Sequence, residues 1–466
     1  MVSVIYNIMK KYLSLFFSII IICCIALSGC QQSDDKKTIN DNTFVDGQDY
    51  QYQFSNTSLY DDKINKSENG YYFTIEDFLY YMDAETMKAT PLCNKPNCLH
   101  DKENSEELKR NCNAYISAVD SNIYYNNGYI YYMNELVDLS SGKNSKKIIR
   151  CSSDGSTKEV LTSFENSKYV FMLVHRGYVY YSATYFTVTD NKNDKGENIV
   201  DGNTKIYRLN INESNSKPEV FLENSDFDVN NIPIVRGISA YGNYIVLNVE
   251  TSNVSRQNNS ESTVVDNVYF YTANLETKKV TNISKTKFPN ENEKIMDLTY
   301  FNGKLLFSLL IRDDDELYYA PEVYSMDFDG TNLKKVYTKT GKFSKCGLYS
   351  DENYIYIPSL NFYESDGNDE SEPLAKNITL GIIDHNFKMI NQAEVPLANP
   401  HVNYTNTLSS NGDKLISYTS TCELDENGKI VDEDKFVYYI KYIDKADLIK
   451  KGANLQWKTA YQSDPL

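Results

Sequence analysis

NGYIYYM, residues 127–133, is an Asn-Gly turn that runs straight into an alternating strand of tyrosine and apolar residues. Asn-Gly suits a tight hairpin because positive φ at both central positions matches the twist of the flanking strands. The same phrase returns six times: NGYYFTI at 69–75, RGYVYYS at 176–182, GNYIVLNV at 242–249, NGKLLFSLL at 302–310, DENYIYIPSL at 351–360 and NGDKLISYT at 411–419. The starts lie roughly 50 to 65 residues apart, the signature of a repeat architecture.

Each phrase is followed by a second aromatic-rich strand, in most units with a polar turn and a short final strand after it. These read FLYYMDAETMKATPL from Phe78, KKIIRCSSDGSTKEVL from Lys146, KIYRLNINES from Lys205 and NVYFYTANLETKKVTNI from Asn267. They continue as EVYSMDFDGTNLKKVYT from Glu322, ITLGIIDHNFKMINQAEV from Ile378 and FVYYIKYID from Phe436. Helical periodicity is confined to DKADLIKKG at 444–452 and to the start of the chain. The expectation is an all-β fold, a β-propeller of about seven four-stranded blades over residues 50–466. Blades should start near residues 50, 115, 169, 235, 295, 344 and 403. Blade six lacks a glycine at its turn and blade one has a poorly marked inner strand, which leaves six or eight blades open; two β-sandwiches end to end are the competing arrangement.

The chain opens differently. Lys10 and Lys11 precede an apolar run, LSLFFSIIIICCIALSG, that ends at Cys30. Positive charge, apolar stretch and small residues in that order make an export signal. Leu27-Ser28-Gly29-Cys30 resembles the lipobox of bacterial lipoproteins, which implies a signal peptide at 1–29 and diacylglyceryl on the Cys30 thiol. A polar segment, QQSDDKKTINDNT, follows, and residues 30–49 read as a flexible tether. The expected location is the extracytoplasmic face of the cell membrane, held by lipid, with an uncleaved membrane anchor as the alternative. Loss of Lys10 and Lys11 takes the formal net charge from −17 to −19. That surplus argues against nucleic acid as a partner.

The rhythm of the body resembles the Tol-B-type and LDL-receptor-type propellers of bacterial lipoproteins, over most of residues 50 to 461. With strands lettered A to D outward from the axis, the turn phrases are A–B connections. The long intervals at 187–204, 250–266, 312–321, 363–377 and 422–435 then fall between B and C and read as loops crowding one face. That face is rich in acids, among them Asp313, Asp314, Asp315, Glu364, Asp366 and Asp425. Solvated loops are one reading, and a surface for a cationic or metal-bridged partner is the other. Binding-face candidates are Asp313, Asp314, Asp315, Tyr318, Tyr319, Tyr363 and His401. None of the acidic runs has the glycine and terminal glutamate of an EF-hand.

PLCNKPNCLHDKENSEELKRNCNAY at 91–115 places Cys93, Cys98, His100 and Cys112 in the connection between blades one and two. Three thiols and an imidazole make a tetrahedral zinc site, structural because four protein ligands leave no open position. Outside the cytosol a disulfide competes, with one cysteine left over or paired to Cys151, Cys346 or Cys422. Similar Cys-Asn-Lys-Pro-x-Cys-x-His segments occur in the lipoproteins this chain resembles, which implies a shared local structure. The 40 tyrosines, beside 20 phenylalanines and the single Trp457, are expected mainly to pack between blades.

No His-Glu-x-x-His, Gly-x-Ser-x-Gly, phosphate loop or dinucleotide fingerprint is present. The leading expectation is therefore a non-catalytic, surface-anchored propeller that binds an extracellular protein or glycan through its acidic loop face. A glycan-acting hydrolase or lyase with carboxylates at the channel mouth is the alternative, and an accessory subunit of an envelope complex a third.

Overall fold

A computed structural model describes residues 44–51, 64–103, 105–116, 118–138, 143–257, 260–284, 293–313, 316–338, 348–362, 375–396, 407–409, 412–424 and 430–464. All belong to one compact unit, Asn42–Leu466. Among the described residues the unit contains twenty-eight strands in seven consecutive sets of four.

Blade one is β1 (Ile64–Lys66), β2 (Gly70–Ile75), β3 (Phe78–Asp83) and β4 (Ala89–Pro91). Blade two is β5 (Ala118–Asn126), β6 (Tyr129–Asp138), β7 (Lys143–Ser152) and β8 (Lys158–Glu165). Blade three is β9 (Met172–His175), β10 (Tyr178–Lys192), β11 (Asn198–Asn210) and β12 (Glu219–Glu223). Blade four is β13 (Ile232–Tyr241), β14 (Tyr244–Gln257), β15 (Ser260–Asn274) and β16 (Val280–Asn282). Blade five is β17 (Glu293–Phe301), β18 (Lys304–Asp313), β19 (Glu316–Met326) and β20 (Lys334–Thr338). Blade six is β21 (Tyr349–Ser350), β22 (Ile355–Phe362), β23 (Ala375–Ile383) and β24 (Met389–Pro396). Blade seven is β25 (Thr407–Ser409), β26 (Lys414–Leu424), β27 (Ile430–Asp444) and β28 (Lys458–Gln462). Within each blade neighbouring strands pair antiparallel.

Side chains between blades close the ring. Leu79 of blade one packs with Ile123 and Ile130 of blade two. Phe164 stacks on Tyr181 across the next seam, ring centres 5.1 Å apart, and Val174 and Val235 share the cluster that joins blades three and four. Tyr241 stacks on Tyr300 at 5.4 Å between blades four and five. Phe301 meets Ile355 between five and six, and Leu380 meets Leu415 between six and seven. The circuit ends where Ile416, Tyr418 and Ile440 of blade seven join Ile64, Phe73 and Ile75 of blade one. This is a seven-bladed β-propeller, so sandwiches and other blade counts drop out. Tyr71, Tyr80, Tyr131, Tyr132, Tyr180, Tyr271, Tyr300 and Tyr356 are among the largest fully buried side chains.

Glycine is dispensable at the blade-six turn because Asp351 does its work. The carboxylate accepts from the backbone N–H of Asn353 at 2.7 Å and of Tyr354 at 2.8 Å, a side-chain mimic of a backbone turn. The inner strand of blade one is only three residues long, which explains its faint mark in the sequence.

Two expectations are corrected. Where they are described, the B–C intervals are mostly strands, not loops: β10 and β11 stay paired from Tyr178↔Asn210 out to Lys192↔Asn198, and β14 and β15 from Tyr244↔Asn274 to Gln257↔Ser260; 363–374 and 425–429 lie outside the described residues. Polar residues hide these ribbons in the sequence because the backbone pairing needs no buried side chain. The ribbons of blades three and four also pair with each other, through Asn198↔Arg256, Ile199↔Ser255 and Val200↔Val254, fusing two blades into one eight-stranded sheet.

The second correction concerns the tether expected over 30–49, which is docked from Phe44 onward. Asp49 and Tyr50 are buried. Arg176 grips the Asp49 carboxylate with two N–H groups, at 2.8 and 3.2 Å. The Gln48 carbonyl accepts from Arg176 N and from the Asn126 amide, at 2.8 and 3.0 Å. Gln51 exchanges two hydrogen bonds with the Lys66 backbone. This strap lies on the A–B end of the ring, opposite the ribbons. No helix among the described residues is long and apolar enough to cross a membrane; the apolar run before Cys30 lies outside them, as does Cys30.

Candidate functional site

The residues that leave β4 build the clearest cluster of chemistry-bearing groups. Leu92 continues the pairing, donating to the Leu79 carbonyl at 2.8 Å, and the chain turns inward at Cys93. Asn97 and His100 both adopt positive φ, 62° and 58°, so two sharp bends fold Cys98 and His100 back toward Cys93. A 3₁₀ turn at His100–Lys102 leads to α1 (Glu106–Arg110), whose N-cap Ser105 accepts from Leu108 N at 3.3 Å. The chain returns through Cys112, whose N–H meets the Lys109 carbonyl at 3.0 Å. The Ala114 carbonyl then accepts from Leu79 N at 2.8 Å, tying the return to blade one.

The result brings one ligand atom from each of Cys93, Cys98, His100 and Cys112 within 4.8 Å of the others. His100 Nδ1 lies 3.4 Å from Cys112 Sγ. Cys93, Cys98 and Cys112 are free thiols. Backbone N–H groups point at the sulfurs: Lys95 and Asn113 at Cys93, and Ala114 at Cys112. Such donors stabilise thiolate and orient it, as outer-shell partners of metal ligands do. Burial pushes the Cys112 thiol up to about 12, and its hydrogen bonds with Cys98 and Cys93 push the same way. Partial burial raises Cys93 as well, but the two amides and its thiol neighbours outweigh that and leave it below the usual thiol value. Four ligands of this kind could hold a metal ion.

Cys151, by contrast, is fully buried in the seam between blades one and two, where it packs as a small apolar residue. Cys422 sits in β26 opposite Phe436, and Cys346 lies outside the described residues.

Asp313, Tyr318 and Tyr319 lie on the blade-five ribbon, where Ile311 pairs with Tyr318 and Asp313 with Glu316. Asp314, Asp315, Tyr363 and His401 lie outside the described residues. His175 is wholly buried under the strap, and His385 stacks on Phe301 with centroids 5.1 Å apart.

A cavity of about 570 Å³ opens on the A–B end, bordered by Asp46, Lys66, Asp351, Asp413, Asp444 and Lys445. Of the five carboxylates that line it, Asp351 pairs with Lys445 at 2.6 Å, Asp413 and Asp444 with Lys414 at 2.9 and 2.6 Å, and Asp46 with Lys66 at 3.6 Å; Glu352 is the fifth.

A feature missed in the sequence is apolar. Val188, Ile199, Val264, Val431 and Phe436 on the ribbons, with Leu99 and Leu108 on the cysteine segment, are exposed large hydrophobic residues. Val264 and Val431 are each 60% exposed. Alternation carried past the blade, as in YFTVTD at 185–190, was the available signal.

No family model matches the chain and no curated protein matches it. Among solved structures, it is similar to an oligogalacturonate lyase from Vibrio parahaemolyticus, with 11% identity over 87% of this chain and 92% of that one and a TM-score of 0.42. An oligogalacturonate lyase in complex with manganese gives 11% identity, 84% and 89% coverage and a TM-score of 0.40. The β-propeller domain of the Trilobed protease from Pyrococcus furiosus, described as having an open velcro topology, gives 11%, 73%, 94% and 0.36. The fold assignment rests on the strand pairings and seams above, and these likenesses add no functional argument.

Proposed function

We propose that this chain is a lipid-anchored binding propeller of the bacterial cell envelope, tethered through Cys30, that engages an extracellular protein or glycan through its ribbon-bearing face without catalysis. The carrying observation is that seven of the eleven exposed large hydrophobic side chains among the described residues lie on the ribbons and the cysteine segment, both on the B–C and D–A end. Exposed apolar groups on a rigid scaffold mark interaction surfaces. The opposite end is partly occupied by the chain's own strap, which leaves the ribbon end as the open one.

On the same proposal the Cys93, Cys98, His100 and Cys112 cluster is a structural zinc site. Zinc accepts sulfur and imidazole ligands in a tetrahedron, and four protein ligands leave no position for substrate.

Photo-crosslinking residues placed at Val264 and Val431 on intact cells, against controls at Glu276 and Asn215 on the far end, test the binding face. Ribbon probes should give one discrete adduct and the controls none. Equal adducts from both ends would sink the reading. Turnover of a defined glycan by the purified chain would replace it with the enzymatic one.

A further inference from the structure

We propose that the metal bound by Cys93, Cys98, His100 and Cys112 latches the ring shut at the seam between its first and last blades. This rests on the zinc reading above and adds where the metal acts.

Closure is the one seam that no connection between consecutive blades crosses. Every blade is built from four consecutive strands, and among the described residues blades one and seven share none. Among those residues no ladder of backbone hydrogen bonds crosses from the last blade to the first. The seam depends on side-chain packing and on whatever else spans it.

The cysteine segment spans it. Immediately after His100, Asp101 accepts from the Tyr80 hydroxyl of blade one at 2.9 Å. Tyr461, on the outer strand of blade seven, donates to that same Tyr80 oxygen at 3.1 Å. Lys102 pairs with Asp464 beyond β28 at 2.7 Å. On the inner side, Cys112 and Ala114 belong to the cluster that holds Ile64, Phe73 and Met82 of blade one against Ile416, Tyr418 and Ile440 of blade seven; Cys93 and Cys98 pack on its edge. The cysteine segment thus touches both sides of the joint, blade one through Asp101 and Cys112 and blade seven's end through Lys102.

The return of the segment is anchored through Cys112 and Ala114, but its middle has little to order it. The helix is five residues long with no buried side chain, and Leu99 and Leu108 are exposed. A stretch that buries so little gains most from a cross-link. The metal supplies that link and fixes the His100 turn, which in turn presents Asp101 and Lys102 to blade seven. A disulfide between two of the cysteines would leave His100 free and lose this last step.

The test uses the full chain purified from membranes in detergent, with elemental analysis, thiol counting and amide hydrogen exchange before and after chelation. Expected are one zinc per chain and, on chelation, exchange roughly tenfold faster in β2, β3, β26 and β27, with β13 and β14 unchanged and zinc restoring protection. His100→Cys should keep zinc and protection, and His100→Ala should lose both. Absence of metal together with blocked thiols overturns the zinc reading and the latch with it. Zinc whose removal affects only residues 92–116 leaves the zinc reading standing and overturns the latch. Equal loss of protection in blades one, four and seven overturns it as well, making the metal a staple of the whole domain.

Discussion

His175 ends β9 with both ring nitrogens committed. Tyr50 N donates to Nδ1 at 3.0 Å, so Nδ1 carries no proton, and Nε2–H donates to the Gly242 carbonyl at 2.8 Å. The ring is neutral, and burial holds its pKa down at about 4, with the nearby Asp49 carboxylate only partly opposing. The unfolded ring takes its proton near pH 6.5. Between pH 6.5 and 4 the unfolded state therefore binds more protons, and stability falls as pH drops through that window, by roughly 3 kcal/mol at its lower end. Denaturation midpoints measured across it should fall steeply for the native chain and much less for His175→Gln, which can make both hydrogen bonds without titrating. Identical slopes would show that the ring is not what titrates. Its partner Tyr50 is 125 positions away, and no local pattern in the sequence announces the pairing. The cysteine cluster was more legible because its residue types are rare and closely spaced. Its amide donors were not, since they depend on bends at Asn97 and His100 that residue types alone do not specify.

At the level of elements, each blade core was readable, whereas the ribbons were not. Tyrosine and β-branched alternation marks a strand with one buried face. In TVTDNKNDKGENIV, residues 187–200, turn formers and charges mask a pairing that the neighbouring ribbon completes. Gly202 shows how close that fit is: a Cβ there would sit 2.2 Å from Ile232 Cγ2 at the start of β13. Isoleucine is stiff at χ1, so the contact cannot be relieved by a simple swing. Gly202→Ala should destabilise the joint between blades three and four by roughly 1–3 kcal/mol, read from urea midpoints. Adding Ile232→Ala should recover most of the loss. Failure of the second substitution to rescue would place the damage in the backbone, away from this contact.

For the whole molecule, the two ends of the ring differ. The A–B end carries the strap, held by Arg176, Asn126 and Lys66, and the other carries the ribbons. At ~3.5 Å per residue the stretch from Cys30 to Phe44 reaches at most roughly 50 Å. To turn the ribbons toward the lipid, that stretch would have to run back around the outside of the ring. A lipid on Cys30 should therefore bias the A–B end toward the membrane and the ribbons away from it. Energy transfer to a headgroup acceptor, measured with lipidated chain in vesicles, should be strong from a donor at Glu276 and weak from one at Val264. Asp49→Ala with Arg176→Ala frees the strap and should bring the two signals together while membrane attachment persists. Equal transfer from both donors in the native chain would mean that the strap fixes no orientation, and the apolar ribbon face would then have to be considered as a surface turned toward lipid.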